Sequence, residues 1–166
     1  LEPLNKDQQQ ALLLRCYSAL NSMTQGAKAE PNDWRDIADV LNIVETMALH
    51  TGHLTPGPIV PALEQVRDAM QAAQSRYQRG LGLRLDAMGL GAVRFVLEIY
   101  AEAMNVITAA YMLSIIRTTQ KLVAQAQASG SAQVVSRGHG SASMCRRLHT
   151  SYQCSYSTSS ARNASR

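Results

Sequence analysis

The stretch from Pro31 to His50, PNDWRDIADVLNIVETMALH, decides the reading of the fold. Pro31-Asn32-Asp33 is a helix start signal, with acids in the first turn (Asp33, Asp36) that suit the positive end of the helix dipole. Trp34, Ile37, Val40, Leu41, Val44 and Met47 then recur at helical spacing and form one apolar stripe. Asp36, Asp39 and Glu45 fall mostly off it, and the segment ends near His50, before Gly52. An amphipathic helix of this kind must bury its stripe against other elements.

The flanking sequence supplies only more helices. Upstream, Asn5 is placed to cap a helix over about Lys6 to Met23, with Gln8 three residues on as in a capping box. Leu13, Cys16, Tyr17, Leu20 and Met23 mark its buried face, and Gly26 ends it. Downstream, Thr51 to Pro61 carries three prolines and two glycines and reads as a loop. Pro58 or Pro61 then opens a third helix to about Arg79, where a missing N–H costs nothing in the first turn. Its face is Leu63, Val66, Met70, Ala73 and Tyr77. A glycine loop around Gly80 and Gly82 leads to a long fourth helix, Leu90 to Gln127. Val93, Val96, Leu97, Tyr100, Met104, Ile107, Tyr111, Ile115 and Leu122 form its stripe, and Phe95, Ile99, Val106, Leu113 and Ile116 are apolar on other faces. A helix apolar nearly all round is a buried, central one. The expectation is an all-α, four-helix bundle-like domain over 1–128.

Composition agrees with that class. Of 166 residues, 46% are hydrophobic but only 5% aromatic, so the core is aliphatic, Met and Ala; Ala, Leu and Met are strong helix formers. Residues 1–128 hold eleven Lys and Arg against twelve acids, whereas 129–166 hold five Arg and no acid. The net charge of +4 therefore belongs to the tail. With 11 Ser and no periodicity, 129–166 reads as a disordered basic tail, and its composition also fits a non-native read-through end. No signal peptide is expected from the opening residues, and the uncharged run Ala103 to Ile116 is too short to span a bilayer. Three cysteines, one in a helix and two in the tail, make no disulfide framework. The expected compartment is the reducing cytoplasm, with no membrane.

No constellation carries clear chemistry, so neither catalytic residues nor a cofactor nor a metal is assigned, and no enzyme is expected. His50 and His53 lack a zinc-protease or finger spacing and read as a helix-end cation and a loop residue. His139, Cys145, His149 and Cys154 lie close together but match no zinc motif. Asp33, Asp36, Asp39 and Glu45 read as a solvated face. Cys16 falls on an apolar stripe with no histidine placed to activate it. Met88-Gly-Leu-Gly-Ala92 follows no strand and is no phosphate loop.

Two motifs carry a resemblance. Trp34-x-x-Ile37-Ala38-x-x-Leu41-Asn42, followed by Arg76-x-x-Arg79-Gly80 before the last apolar helix, resembles a loose family of short, mostly uncharacterised helical proteins encoded by proteobacterial phages, prophages and plasmids. It spans about residues 9–125 and departs at Leu81, where an aromatic is expected. The resemblance implies a mobile-element accessory protein.

The function expected is a non-enzymatic helical protein–protein interaction module, accessory or regulatory in role. Because the fourth helix outruns the others, part of it lacks an intramolecular cover. A homodimer or a partner protein would then meet it along Tyr100, Met104, Tyr111 and Ile115, while Trp34 would support the first-loop region. The alternative is a DNA-binding transcriptional regulator contacting phosphates through Arg76, Arg79, Arg84 and the basic tail.

Overall fold

The computed structural model describes residues 5–25 and 28–129, and among them the regular elements are all helices. Five helices follow one another: α1 (Lys6–Gln25), α2 (Pro31–Leu49), α3 (Pro56–Gln78), α4 (Ala87–Val106) and α5 (Ala109–Ser129). The expected tail and its His139, Cys145, His149 and Cys154 lie outside the described residues.

Local chemistry accounts for the helix ends. The N–H of Asp7 donates to Asn5 Oδ1 at 2.9 Å, the expected cap of α1. Pro31 stands at the first position of α2, and the N–H of Glu30 donates to Asp33 Oδ2 at 2.8 Å. Helix α3 opens at Pro56, earlier than either expected proline. The first four N–H groups of a helix have no internal acceptor, so Pro56 and Pro58 sacrifice nothing, and Pro61 forfeits one bond, to the carbonyl of Gly57. At the other end, Gly80 takes φ 76°. Its N–H donates to the Tyr77 carbonyl and that of Leu81 to the Arg76 carbonyl, closing a Schellman turn.

The long fourth helix is in fact two. Ile107 is extended (φ −87°, ψ 138°), and Thr108 restarts the chain by accepting the N–H of Tyr111 on its hydroxyl at 3.3 Å. The run Asn105-Val-Ile-Thr108 explains the break: three β-branched residues and an asparagine are poor helix formers, and Thr makes a good cap. The two-residue interruption also resets the phase. Helix α5 buries Ala109, Met112, Ile115, Ile116, Thr119 and Val123, rather than the Tyr111 and Leu122 that an unbroken helix would bury.

The central helix is therefore not the last one. Helix α2 packs against α1, α3, α4 and α5, and α4 also packs against α1 and α3. Helix α2 buries both its apolar stripe and the residues expected to face water, Asp36 and Asp39 among them. Trp34 spans the α2–α3 boundary, its indole N–H donating to the Met70 carbonyl at 3.2 Å. Helices α3 and α4 meet so closely that a Cβ on Gly89 would stand 2.5 Å from the Ala69 Cβ. Among the described residues α5 packs on α2 alone, and α3 and α5 are not packed on each other. No helix there is long and apolar enough to cross a membrane.

Candidate functional site

A concavity is left between α3 and α5. It is a groove of about 530 Å³, with α2 as its floor. Val60, Leu63 and Glu64 line it from α3, and Leu122, Val123 and Ala126 from α5, down to Ser129 at the helix end. The volume falls within the usual range for ligand sites.

Its floor is polar. Asn42, Glu45 and Thr46 of α2 line it, with His50 at the C-cap of that helix. The Thr119 hydroxyl donates to that of Thr46 at 2.8 Å, a buried bond that ties α5 to α2. Arg67 of α3 places its Nη2 2.9 Å from Glu45 Oε1. Burial raises the Glu45 carboxyl above its usual range, and the charges of Arg67 and His50 oppose that rise. Asn42 differs from these neighbours. Its side-chain oxygen and nitrogen are both buried and find no hydrogen-bond partner among the described residues. An unsatisfied buried amide costs about 1–3 kcal/mol per group.

A second polar cluster lies under α1. Arg15 grips Asp36 with two hydrogen bonds, Nε–Oδ2 at 2.6 Å and Nη2–Oδ1 at 2.9 Å. Asp39 is 5% exposed, and its Oδ2 has no hydrogen-bond partner among the described residues. Its pKa is pushed up to about 7, first by desolvation and then by the Asp36 charge, with Arg15 and Arg35 opposing. A void of about 20 Å³ beside Asp39, Cys16 and Tyr100 has room for one water. Burial and Asp36 raise the Cys16 thiol to about 12, so it carries no thiolate near neutrality. The solvated acidic face expected here is thus corrected: Asp36 and Asp39 are interior, and only Asp33, at the start of α2, keeps a capping role.

The expected association seam does not lie on a surface. Tyr100, Met104 and Ile115 are buried within the chain's own core, and only Tyr111, at 36%, is exposed. The Tyr111 ring stands 5.4 Å from that of His53, centroid to centroid. The overhang that motivated the seam has also gone, since α4 and α5 have 20 and 21 residues, like α1 with 20. Of the basic cluster, Arg76 donates to the Arg84 carbonyl at 2.6 Å and Arg79 Nε to the Ser75 carbonyl at 3.2 Å. Two of the three guanidiniums therefore serve the α3–α4 turn. Among the described residues no three His, Cys, Asp or Glu side chains are grouped to hold a metal.

Sequence reasoning missed Asn42, Thr46, Arg67 and Thr119 as a group. One signal was present: Asp36, Asp39, Asn42 and Thr46 follow one another at helical spacing along α2, a polar ribbon in a helix otherwise apolar. What joins them to Arg67 and Thr119 is tertiary.

Comparison with known proteins gives no match to a family model, to a curated sequence or to a solved structure.

Proposed function

We propose that this domain is a non-enzymatic protein-interaction module that receives a peptide segment of a partner in the groove between α3 and α5. The observation that carries the reading is Asn42, a buried carboxamide whose oxygen and nitrogen find no partner among the described residues, on the floor of an open groove. A carboxamide offers both a donor and an acceptor, the complement of a peptide group. The apolar walls of Leu63, Leu122 and Val123 suit aliphatic side chains on either side of such a segment. The Trp34–Asn42 helix and the Arg76–Gly80 turn, which resemble those of phage- and plasmid-encoded helical proteins, support an accessory or regulatory role on a mobile element.

Selection of random displayed peptides against the full chain tests the reading. Binding peptides are expected, and Leu122→Arg, at a half-buried wall position, is expected to abolish their binding while circular dichroism shows the helices intact. Peptides indifferent to Leu122→Arg would overturn it, and so would failure to select any peptide against both the full chain and its Val134→Asp/Val135→Asp variant.

A further inference from the structure

The groove is open at the point where the chain leaves α5. Ser129, the last residue of that helix, is itself one of the groove's lining residues. Another 37 residues follow it. We propose that the groove's resident occupant is this chain's own segment Ser131–Arg137, folded back along α5 and displaced when a partner's peptide binds. The inference rests on the reading of the groove as a peptide site and names what fills it first.

Length permits the return. From Thr119, which lies over the floor, to Ser129 is ten residues of helix, or about 15 Å at 1.5 Å per residue. An extended chain covers that distance in about five residues at ~3.3 Å each. With Gly130, the residue type that most readily reverses a chain after a helix, as the pivot, Val134 and Val135 arrive level with Thr119 and Thr46.

The chemistry matches as well. Ser131-Ala-Gln-Val-Val-Ser136 is uncharged, with two β-branched aliphatic residues to meet Val60, Leu63 and Leu122. Its backbone supplies the donor and acceptor that Asn42 lacks. Arg137 follows directly, and no acid occurs anywhere after Ser129. On the groove side, the exposed Glu64 has no ion-pair partner among the described residues, while Glu45 is held by Arg67. A strap in this position would also give α5 a second contact besides α2.

A photo-crosslinking amino acid at position 60, on the α3 wall, tests the proposal in the full chain. Equal parts of ¹⁵N-labelled and unlabelled protein are mixed before irradiation, so that links within and between chains differ in mass. The expected product joins position 60 to a peptide spanning 131–137 of the same chain. The double variant Val134→Asp/Val135→Asp is expected to lose most of that product with its helix content unchanged. Links to 131–137 of mixed isotope would identify a second copy as the occupant and overturn the intramolecular strap, and so would the absence of any link to 131–137. The peptide selection separates this proposal from the one beneath it. If the double variant selects tighter binders than the parent chain, both stand. Equal binding by the two overturns the strap alone, and binding by neither overturns the peptide-site reading.

Discussion

At the scale of single residues, Asp39 sets a pH dependence on the fold. Its folded pKa of about 7 lies above the ordinary 3.8, so folding favours the protonated carboxyl. Stability from this group is full at acidic pH and is lost as pH rises through the window from about 4 to about 7, because the folded state binds the extra proton there. Chemical denaturation of the parent chain should therefore show lower stability at pH 8 than at pH 5. Asp39→Asn, which cannot ionise, should flatten that difference; an unchanged pH slope would remove Asp39 as its source. The Glu45–Arg67 pair makes a related case. Arg67→Met would strand a mostly buried carboxylate, and breaking such a pair typically costs about 3–5 kcal/mol. Urea denaturation at pH 7.5 checks this, and Glu45→Gln added to Arg67→Met should recover part of the loss. Neither acid was legible as an interior group. A carboxylate off an apolar stripe normally faces water, and only the arrival of α1 over Asp36 and Asp39 makes this face interior.

At the scale of elements, the decisive events are a helix break and a close crossing. The break at Ile107–Thr108 was written in the sequence as β-branched residues beside an asparagine, but the apolar periodicity running through it concealed the change of phase. Thr108→Ala should weaken the start of α5 by about 1 kcal/mol, the usual worth of such a cap, read as a lowered midpoint of thermal unfolding. The crossing of α3 and α4 at Gly89 is stricter. Its missing Cβ lets Ala69 approach, and Asp86 Oδ1 accepts the Gly89 N–H at 2.7 Å to cap the helix. Gly89→Ala would ordinarily stabilise a helix interior by up to about 1 kcal/mol. Here the steric overlap with another helix should reverse the sign, with a net cost of about 1–3 kcal/mol. Gly91→Ala, two residues on with open space around it, is the control and should be neutral or stabilising.

At the scale of the whole molecule, α2 is the hub and α5 its most lightly held neighbour. Met104 is fully buried at the centre of this arrangement. Met104→Ala should cost about 2–5 kcal/mol, as core truncations of this size do, and should leave the solution mass by light scattering unchanged. A shift in mass with no loss of stability would instead return Met104 to an association seam. Because α5 has one packed neighbour among the described residues, its amides should exchange hydrogen faster than those of α2. In the double variant Val134→Asp/Val135→Asp the contrast should grow.

By itself the sequence determined the helical class, the caps at Asn5 and Pro31, the apolar stripe of α2 and the glycine turn after α3. Each of these depends on interactions among residues a few positions apart, where spacing and side-chain type suffice. Tertiary structure alone decided that α2 is central, that Asp36 and Asp39 are interior, that Tyr100, Met104 and Ile115 serve the core, and that Asn42, Arg67 and Thr119 share a groove. Those outcomes depend on which faces of distant helices meet. A period of 3.6 residues tells which side of a helix is apolar, and it is silent on which neighbour covers that side and which gap stays open.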